Sequence, residues 1–213
     1  STKNRQKKSP SVPAARKSIA GTDNRPQVHR PMTTRYLETP RLILRDWQDS
    51  DLLPFTEMNA DPKVMEYFVK PLTAEESSAF FLRIRNELAD FGYGAYAVER
   101  KTDGKFLGFT GLHRIPFEAD FTPGIEIAWR LIREAWGNGY ATEAAAACLE
   151  YADKRLGLRE IYAFTTLQNR RSERVMQKTG MQRIGIFDHP LLDTRHPLRK
   201  HVLYKINFQS LQK

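Results

Sequence analysis

Two glycines one residue apart, Gly137 and Gly139, stand between a strand-like run at 125–131 and an alanine-rich run at 141–156. Glycine lets a backbone approach a ligand with no Cβ in the way. A helix that begins just after it turns unpaired N–H groups and the positive end of its dipole to the same spot. Strand, glycine turn and helix start together make a site for a phosphate or pyrophosphate. The same turn also serves as a plain strand-to-helix connection. A P-loop would need Lys-Ser/Thr after its last glycine, where Tyr140-Ala141 stand. A dinucleotide fingerprint would need a third glycine where Thr142 stands, after the first strand of the chain. Neither pattern fits. No metal site is expected, because His113, His189, His196 and His201 lack ligand-like pairing with cysteines or carboxylates.

The elements that must hold this turn read as mixed α and β. Residues 41–46 suit a strand, and 50–60 a first helix. Thr73, with Glu76 three residues on, is a capping box. Phe80, Phe81, Ile84, Leu88 and Phe91 then recur at helical spacing, and Gly92 ends the run. Strands are predicted at 93–101 and 106–115, joined by a turn at Thr102-Asp103-Gly104. Ile125, Ile127, Trp129 and Leu131 alternate with Glu126, Ala128 and Arg130, the period of a strand. After the helix at 141–156 come a strand at 160–167, a helix at 170–179, and strands at 181–187 and 201–207. The order is α+β.

A chain of 213 residues, 40% hydrophobic, is long enough to bury a sizeable core in one domain. No apolar run approaches the ~20 residues needed to span a bilayer, and the basic N-terminal stretch has no apolar segment after it to make a signal peptide. The lone Cys148 has no partner for an intrachain disulfide, so the cytoplasm is the default compartment. Cys148 falls in a helical stripe with Ala145, Leu149 and Ala152, which makes it a core residue rather than a nucleophile. The net charge of +9 is concentrated at one end. Residues 1–31 hold eight Lys/Arg against the single acid Asp23. Rich in Ser and Pro and poor in aliphatics, that stretch is expected to be a disordered tail, with residues 34–213 as one domain after a tail of 1–33. Two accounts of the tail stand. It is a remnant or extension ahead of a native start at Met32, or an arm for anionic surfaces such as RNA. No membrane partner is expected, and monomer and homodimer both remain open.

The segment from Arg133 to Ala144 resembles the acyl-CoA pyrophosphate loop of the GNAT superfamily of N-acetyltransferases, whose pattern is Gln/Arg-x-x-Gly-x-Gly/Ala. Glu134 occupies the Gln/Arg slot, with Arg133 displaced by one residue. Glu38-Thr39-Pro40-Arg41-Leu42-Ile43-Leu44-Arg45 is similar to the opening strand of the branch that includes ribosomal-protein N-terminal acetyltransferases. Trp136-Gly137-Asn138-Gly139-Tyr140-Ala141-Thr142-Glu143-Ala144 is similar to that branch's loop. The stretch from Asn169 through Ser172 and Val175 to Gly180-Met181 resembles its Asn-x-x-Ser helix. Together these motifs cover about residues 35–208 in the family's order.

The resemblance implies the GNAT fold, a mixed and mostly antiparallel sheet splayed between its fourth and fifth strands and flanked by helices. It implies acetyl-CoA as cofactor and direct transfer to a primary amine, on a protein N-terminus or a small molecule. A CoA-binding or ribosome-associated module without catalysis is the alternative. The cofactor residues implied are Trp129, Arg130 and Leu131 through their backbone, the loop Trp136, Gly137, Asn138, Gly139, Tyr140, Ala141 and Thr142, and Asn169 and Ser172. Asn169 also sits where a helix wants its N-cap, and Ser172 is either a donor to the leaving thiolate or a polar residue in a helix's first turn. Glu126 is the expected general base; the alternative is an exposed strand glutamate or one paired with Arg130. A base matters more for some acceptors than others. Deprotonation at pH 7 costs about 4.6 kcal/mol for a lysine-type amine but about 1.1 for an α-amine. Tyr67, Phe68, His113, Asp188 and His189 are expected to wall the acceptor pocket, with His113, Asp188 and His189 as reserve bases; plain loop packing is the other reading.

Overall fold

The computed structural model describes residues 33–208, so the expectation for the basic tail lies outside the described residues except at Thr33. There the Thr33 hydroxyl accepts a hydrogen bond from Gln48 at 3.1 Å. The opening strand is a hairpin rather than one strand: β1 (Arg35–Glu38) turns at Thr39-Pro40 and pairs antiparallel with β2 (Leu42–Arg45). A 3-10 turn at Asp49–Asp51 leads into α1 (Leu52–Ala60), and α2 follows at Ala74–Phe91. The α2 capping box forms as its sequence requires, with Thr73 accepting from the Glu76 N–H and Glu76 from the Thr73 N–H. Gly92 ends the helix in the left-handed region at φ 70°. Phe81, Ile84 and Leu88 are buried, whereas Phe91, at the end of the same stripe, is half exposed.

Strands β3 (Ala95–Arg100), β4 (Phe106–Arg114) and β5 (Ile125–Leu131) continue the antiparallel sheet. Then come α3 (Tyr140–Lys154), β6 (Glu160–Thr166), α4 (Arg170–Lys178), β7 (Gln182–Asp188) and β8 (Lys200–Asn207). The eight strands lie in the order β1-β2-β3-β4-β5-β6-β8-β7. All pairs are antiparallel except β5 with β6.

That parallel pair is the break in the sheet. β4 and β5 stay in register from Gly108/Leu131 to Arg114/Ile125, but β5 and β6 meet at Glu126 and Tyr162 alone. Beyond that point they part. With the β1–β2 hairpin counted once, β5 and β6 are the fourth and fifth strands, where the splay is expected.

Helices cover both faces. Alternation along β4 and β3 puts Phe109 on one face and Tyr96 on the other. The Phe109 face packs on Phe55 of α1 and Phe80 of α2, with ring centroids 6.2 and 5.9 Å away. α3 covers the other face through Ala144, Ala145, Cys148, Leu149 and Ala152, all buried. Small residues let this helix sit close to the sheet, and Cys148 is a core residue as its spacing predicts. Among the described residues no helix is long and apolar enough to cross a membrane.

Candidate active site

The parted strands open a cleft of about 1070 Å³. On one side it is lined by Glu126, Ala128, Trp129, Arg130 and Leu131 of β5, and on the other by Phe164, Thr165 and Thr166 of β6. Asn169 and Ser172 line it from α4, and Trp136, Gly137, Gly139, Tyr140, Ala141 and Thr142 from the glycine turn. Tyr67, Phe68, His113 and His189 complete it from the loops and from β4. Two expected residues lie elsewhere. Asp188 is at the edge of the sheet, paired with Lys200 at 3.2 Å and Arg199 at 3.4 Å. Those cations hold its carboxyl below the usual range, Lys200 foremost. The Asn138 side chain folds back onto its own turn, donating to the carbonyls of Trp136 at 3.0 Å and Ala135 at 3.3 Å.

The glycine turn is shaped by its backbone. Gly137 and Gly139 have φ of 76° and 79°, in the region that disfavours a side chain. Gly139 is the N-cap of α3, and no side chain caps that helix. Its first N–H groups face the cleft without the partner a Ser or Asp would supply.

Two sequence motifs hold each other at this point. Glu143, in the first turn of α3, accepts from the Thr39 hydroxyl at 2.6 Å, the Arg41 N–H at 3.0 Å and Arg41 Nε at 2.6 Å. Arg41 Nη1 in turn donates to the Asn138 carbonyl at 2.9 Å, and its guanidinium lies 4.6 Å from the centre of the Tyr140 ring. Burial pushes the Glu143 carboxyl up, but the bonds from Thr39 and Arg41 more than reverse it. Both residues stand in motifs of the sequence, yet their partnership is a contact of the fold, between segments about a hundred residues apart in the chain. Glu134 is part of the same surface: exposed, it pairs with Lys105.

Glu126 is neither exposed nor paired with Arg130. It is buried, with 7% of its surface exposed, and its Oε1 lies 2.7 Å from His113 Nε2. The two are direct register partners across β4 and β5. Burial lowers the basicity of His113, but the hydrogen bond and charge of Glu126 outweigh it and raise the imidazole pKa. Sequence reasoning set Glu126 and His113 apart as first choice and reserve; the strand register makes them one unit.

Asn169 is an N-cap. Its Oδ1 accepts from the Ser172 N–H at 3.2 Å, and its Nδ2 donates to the Thr165 hydroxyl at 3.1 Å. The wall opposite β5 is aromatic. Phe164, His189 and His201 pack together, the two imidazole centroids 4.9 Å apart. Burial, then the charges of His201 and Arg199, pull the His189 pKa down to about 4.

A family profile described as an acetyltransferase (GNAT) domain matches residues 41–182, which run from β2 through the glycine turn and α4 to the start of β7. The chain belongs to the GNAT acetyltransferase family. Its relatives include the protein YkkB of Bacillus subtilis (strain 168), 32% identical over 68% of this chain and 84% of YkkB. An acetyltransferase (GNAT family) structure from Bacillus anthracis superposes with a TM-score of 0.68 at 26% identity, covering 80% of this chain and 97% of that one. The spermidine N-acetyltransferase of Vibrio cholerae, solved with CoA and spermine, shares the fold with a TM-score of 0.64 at 18% identity, over 82% of this chain and all of that one (100%). The protein is an acyl-CoA-dependent N-acetyltransferase, and acetyl-CoA is its cofactor.

Proposed function

We propose that the cleft moves acetyl from acetyl-CoA directly to a primary amine, with the His113–Glu126 pair taking the amine's proton. The observation that carries this reading is the single β5–β6 register pair. It leaves the β5 edge from Ala128 to Arg130 without a neighbouring strand, beside an uncapped helix N-terminus, while the Leu131 carbonyl accepts from Trp136 Nε1 at 3.0 Å. Unpaired strand groups and orphan helix N–H groups are costly unless something meets them. An extended amide-bearing arm ending in a pyrophosphate supplies both kinds of partner. The turn has room for it: a Cβ on Gly137 would meet nothing within 4 Å, and one on Gly139 only the tip of Arg41 at 3.5 Å.

On this reading the loop from Trp136 to Thr142 holds the pyrophosphate, and the backbone of Trp129, Arg130 and Leu131 holds the pantetheine arm. Asn169, already committed to Ser172 and Thr165, shares its amide with that arm. As the amine nitrogen forms its bond to the acyl carbon, the carbon–sulfur bond breaks. Glu126 accepts the amine's proton, with His113 fixing the carboxylate's direction. The Ser172 hydroxyl donates a hydrogen bond to the departing thiolate. No covalent enzyme intermediate is needed, and the buried Cys148 takes no part.

A primary amine is the acceptor class. The motifs similar to the ribosomal-protein branch support a protein N-terminus, whereas the buried base supports an amine that is protonated at pH 7 and needs one. The test is CoA release with a panel of amines and short peptides, followed by mass spectrometry of the product. Release with an N-acetylated product supports the reading. CoA bound normally but no amine acetylated would overturn it.

A further inference from the structure

Arg130 is the one guanidinium on the Glu126 face of β5, and among the described residues no carboxylate pairs with it. Its Nη1 donates to Asn59 Oδ1 at 2.6 Å. Its Nε is buried without a partner, and so is the Nδ2 of the same Asn59. The two hydrogen-bonded side chains thus each keep one donor with no acceptor supplied by the fold. Each costs about 1–3 kcal/mol if left so. Phe68, Phe80 and Phe109 surround the guanidinium, with ring centroids 4.2, 5.6 and 5.5 Å from it. Rings stabilise the cation, but in-plane N–H donors still need an oxygen. Burial alone pulls the Arg130 pKa down to about 10, the mark of a cation with no counter-charge.

The surroundings fix the sign of what would answer it. Lys63, Arg83 and Arg114 line the same cleft, where Glu87 and Glu126 are the acidic lining residues. Arg171, Arg174 and Lys178 add further positive charge from the α4 side. Such a cleft repels a second ammonium and attracts an oxyanion. Phe68 belongs to the α1–α2 connection, so the guanidinium lies under the wall that the acceptor must pass rather than at the glycine turn.

We propose that the acceptor is a small amine that also carries a carboxylate, with Arg130, which lines the cleft, reading the carboxylate and the fully buried Asn59 positioning its guanidinium from behind, while Glu126 and His113 receive the amine. This rests on the acetyltransfer reading above. Glu126 and Arg130 are four residues apart on one strand, roughly 13 Å between Cα atoms at about 3.3 Å per residue. Side chains on one strand face stand roughly perpendicular to the strand, so two hydrogen bonds of about 2.8 Å leave roughly 7–8 Å between amine nitrogen and carboxylate oxygen. An ω-amino acid of four to six carbons has that reach, with the aliphatic chain against Phe68 and Phe80. Polyamines are excluded as good acceptors.

The test uses acceptors of one length and three end groups: 5-aminopentanoate, pentylamine and 1,5-diaminopentane. Wild type should acetylate the aminocarboxylate with kcat/KM at least about tenfold above either of the others, mainly through KM. In Arg130→Gln that preference should fall below about threefold, while Arg130→Lys keeps part of it. Titration of 5-aminopentanoate into CoA-saturated wild type reads the same contact without turnover. Equal kcat/KM for the three amines, or a diamine preferred, would overturn the assignment even if both variants fail to fold. Binding of the aminocarboxylate with no acetylation of any amine would leave Arg130 its role and sink the transfer reading instead. No binding alongside efficient acetylation of pentylamine would do the reverse.

Discussion

His113 Nε2 and Glu126 Oε1 lie 2.7 Å apart because their residues are opposite each other in the β4–β5 ladder. Strand register, not loop placement, brings the pair together, so its geometry is held by the whole antiparallel half of the sheet. Glu126→Gln keeps the shape and removes the charge. If the carboxylate takes the amine's proton, kcat/KM near pH 7 should fall by about 10² to 10⁴. The loss should shrink as pH rises and more amine arrives neutral. Because Glu126 raises the His113 pKa, the same substitution should lower it, which an NMR titration of His113 Cε1–H reads directly. A variant with full activity and a shifted His113 would make the pair structural.

At the glycine turn, Gly139→Glu places bulk and negative charge where the pyrophosphate is proposed to lie. CoA affinity measured by calorimetry should drop more than tenfold, beyond ~1.4 kcal/mol. Gly139 has φ 79°, so any side chain there also strains the backbone. Gly139→Ala carries the strain without the charge and should lose distinctly less affinity. Equal losses in the two would assign the effect to strain and not to the anion site.

The Arg41–Glu143 contact carries a third expectation. Arg41→Met removes the ion pair and the bond to the Asn138 carbonyl, the link between the β1–β2 turn and the glycine loop. Arg41 is itself exposed, so global stability should change by no more than about 1 kcal/mol. CoA affinity should fall more than that, because an unfastened turn must be ordered on binding. Unchanged CoA binding in a folded Arg41→Met protein would show that the turn holds its shape unaided.

These contacts mark what the sequence could and could not reveal. Elements were legible where one periodicity or one cap dominates: the α2 capping box, the alternation of β5 and the small-residue stripe of α3 all stand where their residues put them. The β1–β2 hairpin was missed because Thr39-Pro40 breaks a run too short to read as two strands. The cleft was legible through motifs whose order is fixed in the chain, and sixteen of the eighteen residues named for it line it. Asn138 and Asp188 do not, because each is claimed by nearby groups, the turn's own carbonyls and the cations Arg199 and Lys200 at the start of β8. Pairings across the sheet were the blind spot. Nothing along the chain ties His113 to Glu126, Arg41 to Glu143 or Arg130 to Asn59, since register and docking of α1 and α3 make those pairs.

Asn169 shows how one residue's two duties can be separated. It caps α4 through Oδ1 and holds Thr165 through Nδ2. Asn169→Ala should cost about 1 kcal/mol of stability as a lost cap, or roughly 2–4 °C in Tm. Asn169→Asp keeps the acceptor of the cap, and its Tm should stay near wild type. Both remove the amide donor proposed to meet the pantetheine arm, so both should raise the KM for acetyl-CoA. A normal KM in Asn169→Asp would leave the residue as a cap alone.

The histidines on the aromatic wall make stability depend on pH in a window above that of the carboxylates. Burial depresses the pKa of His189 to about 4 and also lowers that of His201, against the pull of the Arg199 carbonyl. Above pH ~6.5 both are neutral whether the chain is folded or not, and they contribute no slope. As pH falls below that, the unfolded chain binds protons the folded chain refuses, so stability falls. His113 runs the other way, because its raised pKa lets the folded state bind its proton first. The large depression at His189 outweighs the smaller opposite shift at His113 and leaves a net loss, discounted for the partial exposure of the ring to about 1 kcal/mol between pH 7.5 and pH 5. In thermal melts that is a decrease of about 2–4 °C. His189→Gln should flatten the decrease, and His113→Gln should steepen it. A melting temperature that rises toward pH 5 in the wild type would mean that the wall opens to water and its imidazoles titrate freely.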